Sequence, residues 1–163
     1  MMKNILTYVT LLLVIVLQST ILNGIELLHI TPNIVLVFVV CYSMYAEPVK
    51  AVILAIVAGL VTDILQVHHV GFTALMFMFI SVTLSVICSD YIRSNLFTVM
   101  VAVVASTLVF ESLYGILVYV LFNKMTLGYM LKVVAFETLY NVIASLVIMW
   151  WAKYLAEDEI RSF

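Results

Sequence analysis

Charge is scarce in this chain of 163 residues: 10% are Asp, Glu, Lys or Arg and 66% are hydrophobic. A soluble domain carries about 25% charged residues. A water-soluble globule of this size cannot hide so much apolar surface, because much of any small domain stays at its boundary with solvent. A soluble enzyme, a nucleic-acid binder and a disordered protein are therefore excluded. The seven basic and nine acidic residues are scattered, leaving no basic patch for phosphates. Cysteine occurs twice, as Cys41 and Cys88, each inside an apolar run with no His or Cys at ligand spacing. These read as small packing residues rather than a disulfide or a metal site. Also missing are His-Glu-x-x-His, Gly-x-Ser-x-Gly, a Walker loop and paired intramembrane aspartates. The chain reads as a non-enzyme without a cofactor.

What is present is long apolar sequence, with a mean hydropathy of +1.27. The composition points to an integral membrane protein whose helices take up almost the whole chain, since a bilayer core of ~30 Å needs ~20 apolar residues per crossing. The start, Met1-Met2-Lys3-Asn4, mimics a secretory signal. The apolar run continues to Leu22 without a small-x-small cleavage pattern, so it reads as a retained first span. Turn-forming residues divide the rest: Asn23-Gly24, Thr31-Pro32-Asn33, Glu47-Pro48, His68-His69-Val70-Gly71, Asp90–Asn95 and Asn123–Tyr129.

The expected architecture is an all-α, polytopic bundle of six transmembrane helices at about 5–22, 34–46, 49–67, 72–89, 96–122 and 130–152. Residues 153–163 form a polar cytoplasmic tail expected to fray. The second helix is short for a crossing, which calls for an earlier start, a thin bilayer or shielding by neighbours. With both termini cytoplasmic, the inside receives Lys3, Lys50, Arg93, Lys153 and Arg161, and the outside only Lys124 and Lys132. That distribution satisfies the positive-inside rule, with Trp150, Trp151 and Tyr154 as an aromatic anchor at the inner interface.

Three acids fall within spans: Asp63, Glu111 and Glu137. An ionised carboxylate in hydrocarbon is costly, so each must face the interior, find a partner or be protonated. At ~1.5 Å per residue, Asp63 and Glu111 lie ~20 Å above the cytoplasmic face. Glu137, descending from the other side, reaches about the same level, and so does Gln18. Asn141 is one turn from Glu137, Thr107 one turn from Glu111, and Thr62 and Gln66 flank Asp63. Interhelical hydrogen bonds alone are worth only ~0.6 kcal/mol each, too little to account for carboxylates. A recess opening outward, taking a ligand or a partner's helix, accounts for Gln18, Asp63, Glu111, Glu137 and Asn141 better. The echo of Phe110-Glu111-Ser112-Leu113-Tyr114 in Phe136-Glu137-Thr138-Leu139-Tyr140 would set two Glu and two Tyr at matching heights, although chance similarity explains it equally well. Ala51, Ala55 and Gly59 form a small-residue stripe for close helix packing. His68 and His69 read as solvated loop residues, since adjacent histidines point apart.

Several of these words, in order, resemble the rod shape-determining protein MreD family. They are Leu17-Gln18-Ser19-Thr20-Ile21-Leu22, Pro32-Asn33, Ala58-Gly59-Leu60-Val61-Thr62-Asp63-Ile64-Leu65 and Gly71-Phe72-Thr73-Ala74-Leu75. The family pattern has Pro-Asp where this chain has Pro32-Asn33, and a glycine before the third helix where it has Glu47-Pro48. The matching positions are Gln18, Pro32, Gly59, Asp63 and Gly71; Glu111 and Glu137 come from the physical reading alone. The resemblance implies a multi-pass protein of the bacterial inner membrane in the cell-elongation machinery. It would bind MreC and help couple MreB filaments to peptidoglycan synthases. It also implies a fold similar to the substrate-binding S-component of energy-coupling-factor vitamin transporters. A vitamin-binding transporter component is thus the alternative, although the first helix lacks the small-x-x-x-small coupling stripe.

Overall fold

The computed structural model describes residues 2–20, 30–66, 71–87, 95–122 and 127–160. Its elements are six helices: α1 (Met2–Thr20), α2 (Ile34–Tyr45), α3 (Pro48–Gln66), α4 (Phe72–Ile87), α5 (Leu96–Phe122) and α6 (Leu127–Ile160). Glu26, His29, His68, His69, Cys88, Arg93, Lys124 and Arg161 lie outside the described residues, as do residues 21–22, 67 and 88–89 of the expected spans. Three helices are long and apolar enough to cross a membrane, over Pro48–Leu65, Leu96–Val120 and Gly128–Ala156. The other three are shorter apolar helices.

The organising element is α2. Its sequence, Ile-Val-Leu-Val-Phe-Val-Val-Cys-Tyr-Ser-Met-Tyr, is apolar on every face, the pattern of a helix with no solvent side. Every residue from Val35 to Tyr45 is buried, and α2 packs against each of the five other helices. At ~1.5 Å per residue its 12 residues rise only ~18 Å. Neighbouring helices surround it along this length. Cys41 is a free, buried thiol within it. The Ser43 hydroxyl donates to Ser81 Oγ of α4 at 2.8 Å, a polar link between two apolar surfaces.

Around α2 the chain folds into antiparallel neighbours. Pro48 opens α3 at a position where its missing N–H costs nothing, and Lys50 pairs with Glu47 at 3.1 Å on the exposed rim. The α3–α4 hairpin is the most tightly apposed pair, and Gly59 explains why: a Cβ there would lie 2.5 Å from Ala74 N and 2.8 Å from Thr73 C. Ala51, Ala55 and Ala58 on the same helix are fully buried. The outer faces are apolar: Ile5, Leu12, Ile64, Leu75, Phe79, Val120 and Val147 are all exposed, as befits helices whose solvent is lipid.

The last helix departs from the sequence expectation. It continues without a break from Leu127 to Ile160, through the stretch expected to fray. Ala152, Leu155 and Ala156 recur at helical spacing and are buried, so the polar end keeps one face docked. The Trp151 indole N–H donates to Thr10 Oγ1 at 3.2 Å, and Lys3 Nζ sits 5.1 Å from the Tyr154 ring centre, fastening this end to α1.

Gly59→Val should cost about 1–3 kcal/mol through overpacking. Gly128→Val, where nothing lies within 4 Å of the added Cβ, should cost far less. Thermal unfolding of the two purified variants in one detergent checks this ordering.

Candidate functional site

A helix that begins inside the protein must still satisfy the amide groups of its first turn, which have no partner within the helix. At the start of α2, side chains from three segments do this. Asn33 caps the helix, its Oδ1 accepting the Leu36 N–H at 3.1 Å. Gln18 of α1 accepts the Val35 N–H on Oε1 at 2.9 Å, and its Nε2 donates to Asn33 Oδ1 at 3.4 Å. The Asn33 N–H donates to Asn141 Oδ1 of α6 at 2.8 Å, and Asn141 Nδ2 donates to Thr107 Oγ1 of α5 at 3.1 Å. One turn before Asn141, Glu137 lines the same cavity as Glu111 of α5. A single hydrogen-bonded chain thus ties α1, α2, α5 and α6 together.

Glu111 and Glu137 are 8% and 6% exposed. They form part of the wall of a cavity of about 370 Å³ beside the α2 N-terminus. Gln18, Pro32, Asn33, Thr62 and Thr73 supply further polar or turn-forming wall, and Phe110, Tyr114 and Tyr129 its rings. Phe110 and Tyr114 are stacked one helical turn apart, with ring centres 6.3 Å from each other and planes 4° apart.

Of the five residues the sequence assigns to a common recess, Gln18, Glu111 and Glu137 line the cavity. Asn141 stands behind them, fully buried, as the connector. Asp63 is placed differently. It is 2% exposed, is not part of the wall, and its Oδ2 accepts the Gly71 N–H at 2.7 Å. Gly71 holds φ at 98°, a backbone conformation that favours glycine, and leads directly into α4. Asp63 therefore latches the α3–α4 turn.

Sequence reasoning missed Asn33 as the junction, together with Thr73, Phe110, Tyr114 and Tyr129. The signal for Asn33 was present, since a Pro-Asn pair before an apolar run is a helix-start pattern. Among the described residues no group of three or more His, Cys, Asp or Glu is placed to hold a metal ion. At the opposite end of α2, an apolar groove is lined by Tyr45, Val147, Met149, Trp150, Trp151, Lys153 and Tyr154. Trp150 there is 80% exposed.

The family model described as rod shape-determining protein MreD matches residues 2–157, nearly the whole chain. The chain belongs to the MreD family. It is accordingly a membrane component of the rod-shape-determining system. Comparison with curated proteins and with solved structures gives no match. The MreD-like words acquire a physical reading here, because they meet in pairs. Gln18 from the first word donates to Asn33 of the second and accepts the Val35 N–H two residues further on. Asp63 and Gly59 from the third meet Gly71, Thr73 and Ala74 from the fourth.

Asp63→Leu should destabilise the protein by about 1–3 kcal/mol, because it strands the Gly71 amide, whereas Asp63→Asn keeps an acceptor and should lose less. Asn141→Leu should cost at least as much as Asp63→Leu, since it leaves partners on both α2 and α5 unpaired. Thermal unfolding of all three variants ranks them.

Proposed function

We propose that the chain is a non-catalytic component of the cell-elongation machinery in the bacterial cytoplasmic membrane. It binds MreC and helps couple MreB filaments to peptidoglycan synthesis. In this reading all six helices cross the membrane, both termini are cytoplasmic, and the recess beside the α2 N-terminus faces outward. The placement of five basic residues inside against two outside supports the orientation. The burial of α2 on all sides supports counting it as a span despite its length, because it need not match the lipid thickness itself.

The observation that carries the proposal is the polar recess itself. In a protein this apolar, buried carboxyls around a cavity of about 370 Å³ mark a place suited to receive a polar group. MreC is the partner that membership of the MreD family favours. The recess would accept a short segment of it.

Val133 is part of the cavity wall and is half-buried. Val133→Trp fills the space without altering charge. Co-purification of MreC should fall at least tenfold, while membrane insertion and thermal stability stay within the range of the unaltered chain. Full MreC recovery by a stably inserted Val133→Trp variant overturns docking in the recess. For the wider role, depletion in a rod-shaped host should round the cells; rods that persist after depletion, with no MreC recovered, would count decisively against it.

A further inference from the structure

The recess holds more polar groups than the α2 junction uses. Thr73, 9% exposed and in the cavity wall, has no hydrogen-bond partner among the described residues. Among those residues no Lys or Arg forms an ion pair with Glu111 or Glu137, and Lys132, on the same helix as Glu137, is exposed. The two carboxyls therefore stand in one wall, 8% and 6% exposed, without a basic partner. Ionising either of them is expensive without a countercharge, and a cation entering the recess would offset that cost. Its chemistry is organic rather than metallic. The acidic groups in the wall are only two, and Phe110 and Tyr114 belong to the same wall, aromatic rings being a surface that attracts ammonium groups. At about 370 Å³ the space equals roughly a dozen water volumes, ample for a headgroup-sized ion.

We propose that this recess binds one organic ammonium group, held between the Glu111–Glu137 pair, the Thr73 hydroxyl and the rings of Phe110 and Tyr114. The ammonium can come from a phosphatidylethanolamine headgroup or from a free amine. The proposal rests on reading the recess as a docking site, and its probe is the amine alone.

The full chain is reconstituted in phosphatidylglycerol nanodiscs and titrated with ethanolamine, with ethylene glycol as the neutral match in size. Calorimetry should show saturable binding of ethanolamine and none of ethylene glycol. Glu111→Gln with Glu137→Gln, which keeps shape and hydrogen bonding, should weaken it at least tenfold, and Thr73→Val several-fold. If the double variant fails to fold by circular dichroism, Thr73→Val and Tyr114→Leu decide in its place. In discs containing phosphatidylethanolamine, one such lipid retained per chain by native mass spectrometry, with the ethanolamine signal lost, assigns the ammonium to lipid. Undiminished ethanolamine binding in those discs assigns it to a soluble amine. Absence of both ethanolamine binding and lipid retention, an equal response to ethylene glycol, or unchanged affinity in the folded variants overturns the proposal. MreC recovery from the same discs is scored separately, so loss of amine binding with MreC still bound sinks this inference alone.

Discussion

The first amides of a helix that starts inside protein have no water to turn to, and the fold is arranged around that need. The opening turn of α2 is surrounded by other helices, so its N–H groups must be met by side chains or left at a cost of several kcal/mol each. Gln18, Asn33 and Asn141 meet them. Each belongs to a different segment, so satisfying the start of one helix also fixes the register of two others against it. The polar residues of this membrane protein are therefore concentrated where a backbone end demands them, and the cavity sits at that same place.

The second polar device, the Asp63–Gly71 bond, is independent of the first. It closes the α3–α4 hairpin, while Gly59 lets the two helices approach until backbone meets backbone. The two devices divide the labour. One builds a junction of four helices beside a recess, and the other holds a helical pair that contributes Thr62 and Thr73 to the recess wall. MreD-like sequence words occur at both, which agrees with residues held in place by bonds to one another.

Much of this was legible in the sequence. Hydropathy and turn residues place all six helices near their observed positions, and the depth count brings Glu111 and Glu137 together. The count does not say whether Asp63 enters the wall, because height along a helix says nothing about direction around it. Asp63 lies one turn beyond the Ala51, Ala55 and Gly59 row, on the side of α3 that meets the start of α4. The end of α6 was misjudged for a related reason. Charges after Ala152 suggest a loose tail, whereas the spacing of Ala152, Leu155 and Ala156 already describes a helix with one buried edge. The aromatic wall of Phe110 and Tyr114 could not be separated by composition from the many other rings in the chain.

The unbroken course of α6 has a mechanical consequence. Its 34 residues measure ~51 Å, well beyond a hydrocarbon thickness of ~30 Å. Glu137 and Asn141 sit on the same stiff shaft as Ala156 and the turns beyond it, with neither proline nor glycine in between. Any tilt imposed where the carboxyls stand is delivered undamped to the far tip, so the shaft works as a one-piece lever between the two ends of the molecule.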